Sequence, residues 1–372
     1  MNDKKVTVAI THGDTNGVGY EMILKAFEDP TMFELCTPII YGSTRVAEYH
    51  AKALNLETDF VLIQSPREAH PNKLNLIDCF NQEEINVELG TPTPESGAAA
   101  LRALNHAIAD YKAGLYDVLV TTPVNRSTMK GFQGHTDYLE HQFGGANKGL
   151  SILVSEDIRV ALVTNNLAIK DIPESITKQK IVEKGKLFYQ SLRRDMFVSN
   201  PRIAVLSLNP RCGEDGRLGD EEQDIIIPAV KELEEAGIQA FGPYAADNFF
   251  GRGDYYRFDG ILAMYHDQGL LPFKSLNPYE GVRFSSGLPI IRVAPATDPK
   301  FSVAGQQVTT PDSLRHSIFL AIDVMRNRKE YDEPLSNPLP KLYHEKRDDS
   351  EKVRFRSSEN RPPFLSKGNK EQ

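Results

Sequence analysis

Short, nearly all-apolar runs recur along the chain and alternate with segments whose apolar residues return every three or four positions. Val6–Ile10, Pro38–Tyr41, Asp117–Thr122, Arg202–Leu208 and Ile261–Tyr265 belong to the first kind, the pattern of strands buried on both faces of a sheet. Ser151–Val154 and Arg159–Val163 read as paired strands, and Ile238–Phe241 as one more. The second kind comprises Glu21–Ala26, Pro94–Gly114, Lys178–Phe197, Glu221–Gly237 and Pro311–Arg328. In Pro94–Gly114, Leu101, Leu104, Ile108 and Tyr111 share a face, Pro94 suits the first turn and Gly114 suits the stop. Pro228 interrupts the helix that Gly237 ends. Residues 64–94 are polar and aperiodic, and read as a surface excursion with short strands. Strands alternating with helices, without an internal repeat, predict a doubly wound α/β/α architecture.

The strands end in polar loops, and in open α/β sheets ligands bind at the carboxyl ends of strands. Ile261–Tyr265 breaks at His266-Asp267-Gln268-Gly269, with Lys274, Arg283 and Arg292 beyond it. An imidazole, a carboxylate and spaced cations suit a small anionic substrate; a polar turn with a capping Asp is the plainer reading. The first strand runs into Thr11–Glu21, whose Gly13, Gly17 and Gly19 suit a turn that presents N–H groups to a phosphate or dinucleotide. Such turns also occur with nothing bound. Gly134-His135-Thr136 is a phosphate seat or a simple helix cap. Further polar ends are Thr121–Asn125, Thr164–Asn166, Asn209–Gly216 and Gly242–Asp247. If one sheet edge gathers them, they form a single cleft. His106 and the basic face of the Lys178–Phe197 helix read as solvated surface.

Composition narrows the partners. A net charge of −8 argues against nucleic acid, and no apolar run reaches membrane-spanning length. The 372 residues suffice for two domains or one two-lobed unit. Met1 to Lys5 leads straight into a strand, so no signal peptide is expected. Cys36, Cys79 and Cys212 lack metal-type spacing, which predicts a reduced, cytoplasmic setting. Cys212, beside Arg211, is a small filler or a thiol with a lowered pKa. The chain from about Glu345 is charged and is expected to be a poorly ordered tail.

Thr11–Glu21, Gly134-His-Thr136, Leu208-Asn-Pro210, Gly242–Asp247, Met264-Tyr-His-Asp-Gln-Gly269 and Gly287-Leu-Pro-Ile-Ile-Arg292 occur together. With these motifs the chain, up to about residue 345, resembles the 4-hydroxythreonine-4-phosphate dehydrogenases of pyridoxal phosphate biosynthesis. Its glycine turn is also similar to that of the isopropylmalate and isocitrate dehydrogenase superfold. The resemblance implies two lobes around a cleft, roughly 1–125 plus 285–345 and 126–284, with 346–372 as the tail. It implies a homodimer whose active site borrows residues from the partner subunit. The implied reaction is NAD-dependent oxidation of 4-phosphohydroxy-L-threonine, with NADP as the alternative oxidant, followed by loss of CO2 to give 3-amino-2-oxopropyl phosphate. His135, Thr136, Lys274 and Arg292 would hold the substrate's anionic ends, and Lys274 would also be the general base. Asp247 and Asp267 would orient the site. Gly13, Asp14, Gly17 and Gly19 would meet the cofactor, and His266 would bind a divalent metal.

The chain departs from the family pattern at that metal. The family uses three histidines, whereas Asn166 and Arg211 stand at two of those positions here. Arg283 replaces an expected Asn, and Thr297-Asp-Pro-Lys300 replaces a His-Gly-Thr-Ala-like stretch. A guanidinium has no lone pair for a metal and repels it, so the family-type metal site is expected to be absent or weakened. Three readings remain. Arg211 and Arg283 replace the dication in an active dehydrogenase, or the chain is a silent paralogue that binds a phosphorylated ligand or nucleotide. The third, acyl or phosphoryl transfer, finds no nucleophile elbow or P-loop to support it.

Overall fold

The structure is a computed structural model that describes residues 5–337, apart from 57–58, 82–84, 126, 128–133 and 144–148. The charged tail expected at 346–372 lies outside the described residues. The chain through Asp332 forms one compact unit; Glu333–Ser336 are the last turn of its final helix, Asp312–Ser336.

The strands are β1 (Val6–Thr11), β2 (Cys36–Gly42), β3 (Phe60–Leu62), β4 (Leu74–Asp78), β5 (Val118–Thr121) and β6 (Leu150–Val154). They continue with β7 (Arg159–Leu162), β8 (Arg202–Leu206), β9 (Gln239–Tyr244), β10 (Gly260–Ala263), β11 (Val282–Ser286) and β12 (Arg292–Pro295). All pair in one twelve-stranded sheet, ordered β3-β4-β2-β1-β5-β12-β11-β6-β7-β10-β8-β9. The first six in that order run parallel, as do β7, β10, β8 and β9. Between these blocks β11 is antiparallel to both β12 and β6, and β6 is antiparallel to β7.

Alternation along each strand sends successive side chains to opposite faces. Val8 and Ile10 enter one apolar cluster, with Ile23 and Val46 of the helices Gly19–Phe27 and Thr44–Ala53. Ala9, Ile39 and Leu119 enter another, with Ala103, Leu104 and Ile108 of the helix Pro94–Lys112. Helices thus cover both faces, as the hydrophobic pattern predicts. Thr93 and Ser96 cap the last helix reciprocally, a device worth about 1 kcal/mol.

Two expectations change. Leu74–Asp78 is an almost wholly buried strand two places from β1, not part of a surface excursion. The hairpin β11–β12 went unread because Arg283, Ser285 and Arg292 interrupt its apolar pattern. It forms the middle of the sheet and carries two of the site's cations.

Candidate active site

A cavity of about 550 Å³ opens where β5, β7, β10 and β12 end. Thr122–Val124 follow β5, Val163–Leu167 follow β7, Ala294–Thr297 close β12, and His266 follows β10. Ser151 of β6 and Arg283 of β11 complete the floor. The polar ends of β5, β7 and β10 converge here, whereas Asn209–Gly216 and Gly242–Asp247 are not in the lining; the antiparallel hairpin lets both parallel blocks contribute.

Arg292 is the centre of this wall and is 2% exposed. Its Nε donates to Thr121 Oγ1 at 2.9 Å, its Nη1 to Ser285 Oγ at 3.2 Å, and its Nη2 to His135 Nδ1 at 2.9 Å. All three acceptors are neutral side chains. Burial, with Arg283 adding repulsion, pushes its pKa down to about 9, so it stays charged at neutral pH. Among the described residues no carboxylate pairs with it, and a buried guanidinium without one is costly; here the charge faces a polar cavity that an anion can enter.

His135 opens the helix His135–Gln142 behind Gly134, whose φ of 146° suits only glycine. Since Arg292 can only donate, His135 Nδ1 accepts and Nε2 carries the proton. The imidazole is therefore a fixed donor. Thr136 Oγ1 lies 2.9 Å from Ser285 Oγ. His135, Thr136 and Arg292 stand together at one end, as an anion seat requires. Arg283 donates to Ser151 Oγ at 3.0 Å beside them.

His266 begins the helix His266–Leu276, with its Nδ1 2.8 Å from Asp267 Oδ1. Asn166 and His266 both line the cavity, whereas Arg211 and Asp247 do not. Arg211 is exposed and pairs with Glu214 at 2.7 Å. Asp247 lies close enough to Arg211 to reinforce that pairing in raising the guanidinium pKa. Arg211 through Asp215 all have φ between 46° and 76°, a left-handed run that is costly for non-glycine residues. Glu222, 1% exposed, anchors it by accepting the N–H groups of Leu208 and Asn209, each at 2.8 Å. Asp267 is exposed, and Lys274 is exposed on the last turn of its helix, outside the cavity.

The glycine turn after β1 is closely packed against neighbouring backbone. The N–H groups of Asp14, Gly17 and Val18 donate to Pro123 O, Asp14 O and Pro299 O, and that of Asn16 to Asp14 Oδ1. A Cβ on Gly13 would meet Thr122 Oγ1 at 2.3 Å, one on Gly17 Pro299 O at 2.8 Å, and one on Gly19 His12 O at 2.1 Å. Gly13, Asp14, Gly17 and Gly19 are buried in a packed turn, with the donors named above used within the chain.

Sequence reading missed two cavity residues, Lys180 and Lys184, one turn apart on the helix Lys178–Arg194. Their i, i+4 spacing was the available signal; it was hidden in a basic face read as solvated. Lys184 Nζ donates to Gly149 O at 3.0 Å, and burial lowers its pKa, with Glu140 opposing.

Residues 34–321 match the family model described as "Pyridoxal phosphate biosynthetic protein PdxA". A "4-hydroxythreonine-4-phosphate dehydrogenase" of Bacteroides thetaiotaomicron is 51% identical over 95% of this chain and 98% of its own. One from a Sulfurihydrogenibium species is 36% identical over 87% of this chain and 100% of its own. A crystal structure of the enzyme so named from Klebsiella pneumoniae has a TM-score of 0.74 at 27% identity, covering 87% of this chain and 99% of that one.

Proposed function

This chain belongs to the PdxA family, and from that premise we propose that it oxidises 4-hydroxythreonine-4-phosphate with a nicotinamide dinucleotide and releases CO2 from the product. The single observation that carries the site assignment is the buried Arg292, with no carboxylate partner among the described residues, in a polar cavity beside His135 and Thr136. Phosphate, a multiply charged acceptor, suits a guanidinium, a fixed imidazole donor and a hydroxyl. NAD is the proposed oxidant, and 3-amino-2-oxopropyl phosphate the proposed product.

Lys274, Asp247 and Arg211 face solvent outside this cavity. We assign them to the site of a second copy in a homodimer, where exposed polar residues of one subunit would close the cavity of the other. The two-lobed division at 126–284 is retained in that proposal.

The family's divalent metal does not fit the residues present. His266, Asn166, His135, Asp137 and Glu140 all line the cavity, but His135 Nδ1 is taken by Arg292, and Arg283, Arg292 and Lys180 repel a dication. Among the described residues no three His, Cys, Asp or Glu side chains are grouped to hold a metal ion.

The test is NADH formation from 4-phosphohydroxy-L-threonine with and without a strong chelator. Turnover that survives the chelator is expected. Turnover abolished by it would place a metal in the reaction and overturn the donor argument. No turnover in either condition would favour the silent, ligand-binding paralogue.

A further inference from the structure

The cavity holds cations that the reaction can use, but it needs a proton acceptor. Oxidation of a secondary alcohol sends a hydride to the nicotinamide and a proton from the hydroxyl to some base. Arg283 and Arg292 cannot accept it, because a guanidinium has no lone pair to offer. His135 cannot accept it at Nδ1, which is already occupied by Arg292. His266, whose Nδ1 is paired with Asp267, and the carboxylates of Asp137 and Glu140 line the cavity too; Lys184 differs from them in lying one turn from a second lysine. It lines the cavity from the helix Lys178–Arg194, and an N–H of its Nζ is tethered at Gly149 O, at the edge of β6.

Resting on the reading above, we propose that Lys184, which lines the cavity one turn from Lys180, is the proton acceptor of the reaction. The substrate O–H bond breaks and its proton goes to the lone pair on Lys184 Nζ. The C–H electron pair leaves as hydride, reducing the dinucleotide and oxidising the carbon to a ketone. The bond to the carboxylate then breaks, CO2 departs, and the Lys184 ammonium returns its proton to the carbon left behind. A desolvated lysine beside a second cation is an established way to obtain a neutral amine near physiological pH.

The surroundings agree. Burial is the largest influence lowering the Lys184 pKa and Lys180 adds to it, while Glu140 and Glu183 act in the opposite direction. The other charged groups around the cavity are Asp137 and His135 from the neighbouring helix, His266 from its helix start, and Arg283 and Arg292 from the hairpin. On the same helix Lys178 pairs with Glu232 at 2.8 Å and Lys186 is exposed. Only one side of this helix is therefore committed to the cavity.

The experiment compares kcat/KM against pH for the wild type and for Lys184→Met, Lys184→Arg and Lys180→Met, with Lys186→Met as the control. Acylation of each lysine by an amine-selective reagent is followed in parallel by peptide mass spectrometry. Lys184→Met should lose about 100- to 10,000-fold together with the acid limb of the profile, and a small primary amine should restore part of it. Lys184→Arg should not recover activity, since it conserves charge without a lone pair. Lys180→Met should move the acid limb, and the pH of Lys184 acylation, upward. Lys184 should acylate at lower pH than Lys186. Wild-type turnover with an unchanged profile in Lys184→Met would overturn this assignment alone. Acylation of Lys184 that tracks Lys186 would do the same. A wild type inert toward the substrate would overturn the proposed function and this assignment with it.

Discussion

The glycine turn after β1 and the cavity after β5 and β12 are adjacent, buried and rich in polar atoms, yet burial treats them in opposite ways. In the turn it drives groups toward neutrality. His12 is pushed down to about 3, His50 is also lowered, and the Asp14 carboxyl is raised. Among the described residues neither ring nitrogen of His12, nor Thr15 Oγ1, has a hydrogen-bond partner of good geometry. In the cavity, Arg292 is fully buried but cannot shed its charge at neutral pH. Both stretches look like ligand loops in sequence. What separates them is whether a charge is left for a ligand to neutralise.

The strongest way to break this contrast is Arg292→Met. If the guanidinium exists for an anion, kcat/KM should fall by about 1,000-fold, the scale of losing a preorganised charged donor. Stability should hold or rise, because an uncompensated buried cation is replaced by an apolar chain of similar length. Steady-state kinetics and a thermal midpoint on the same preparation check both halves. A large drop in midpoint would show that Arg292 is primarily structural.

Gly19→Ala tests the other side. The added methyl would enter the space of His12 O, and the helix start has little room to move. A loss of about 3 kcal/mol in urea unfolding is expected, from overpacking against backbone. The affinity of the remaining folded protein for the dinucleotide should be unchanged. A specific loss of dinucleotide affinity at constant stability would return the turn to the cofactor.

These two regions also show what the sequence could and could not reveal. The alternation of apolar runs and amphipathic segments was enough to place β1, β2, β5, β10 and the helix Pro94–Lys112, because burial on both faces leaves a strong signal. His135, Thr136, His266, Arg283 and Arg292 were recognisable as polar residues beside strand ends, and the fold brings all five to one cavity. The close packing of the turn was not legible, because glycine serves both close packing and ligand approach and only the neighbouring segments show what a Cβ would meet. Lys180 and Lys184 were hidden for a related reason. A lysine on a helix face looks solvated until the chain opposite it, here Gly149 and Glu140, is known.

The smallest of the three effects concerns pH. His12 has a folded pKa of about 3 against an ordinary 6.5, chiefly from burial and secondarily from His50. Its folded value is depressed, so below pH 6.5 the unfolded chain binds a proton that the native chain refuses. Stability from this group is therefore complete above pH 6.5 and declines as pH falls toward 3. Between pH 7 and pH 5 the wild type should lose about 2 kcal/mol on this account, and His50, lowered in the same direction, adds to the loss. His12→Leu removes the titration and an imidazole whose nitrogens have no partner of good geometry among the described residues. Urea midpoints at pH 5 and pH 7 should converge in that variant relative to the wild type. A wild-type acid slope that persists undiminished in His12→Leu would mean the imidazole finds a proton-accepting partner in solution. The turn would then be hydrated, and its contrast with the cavity would be one of degree.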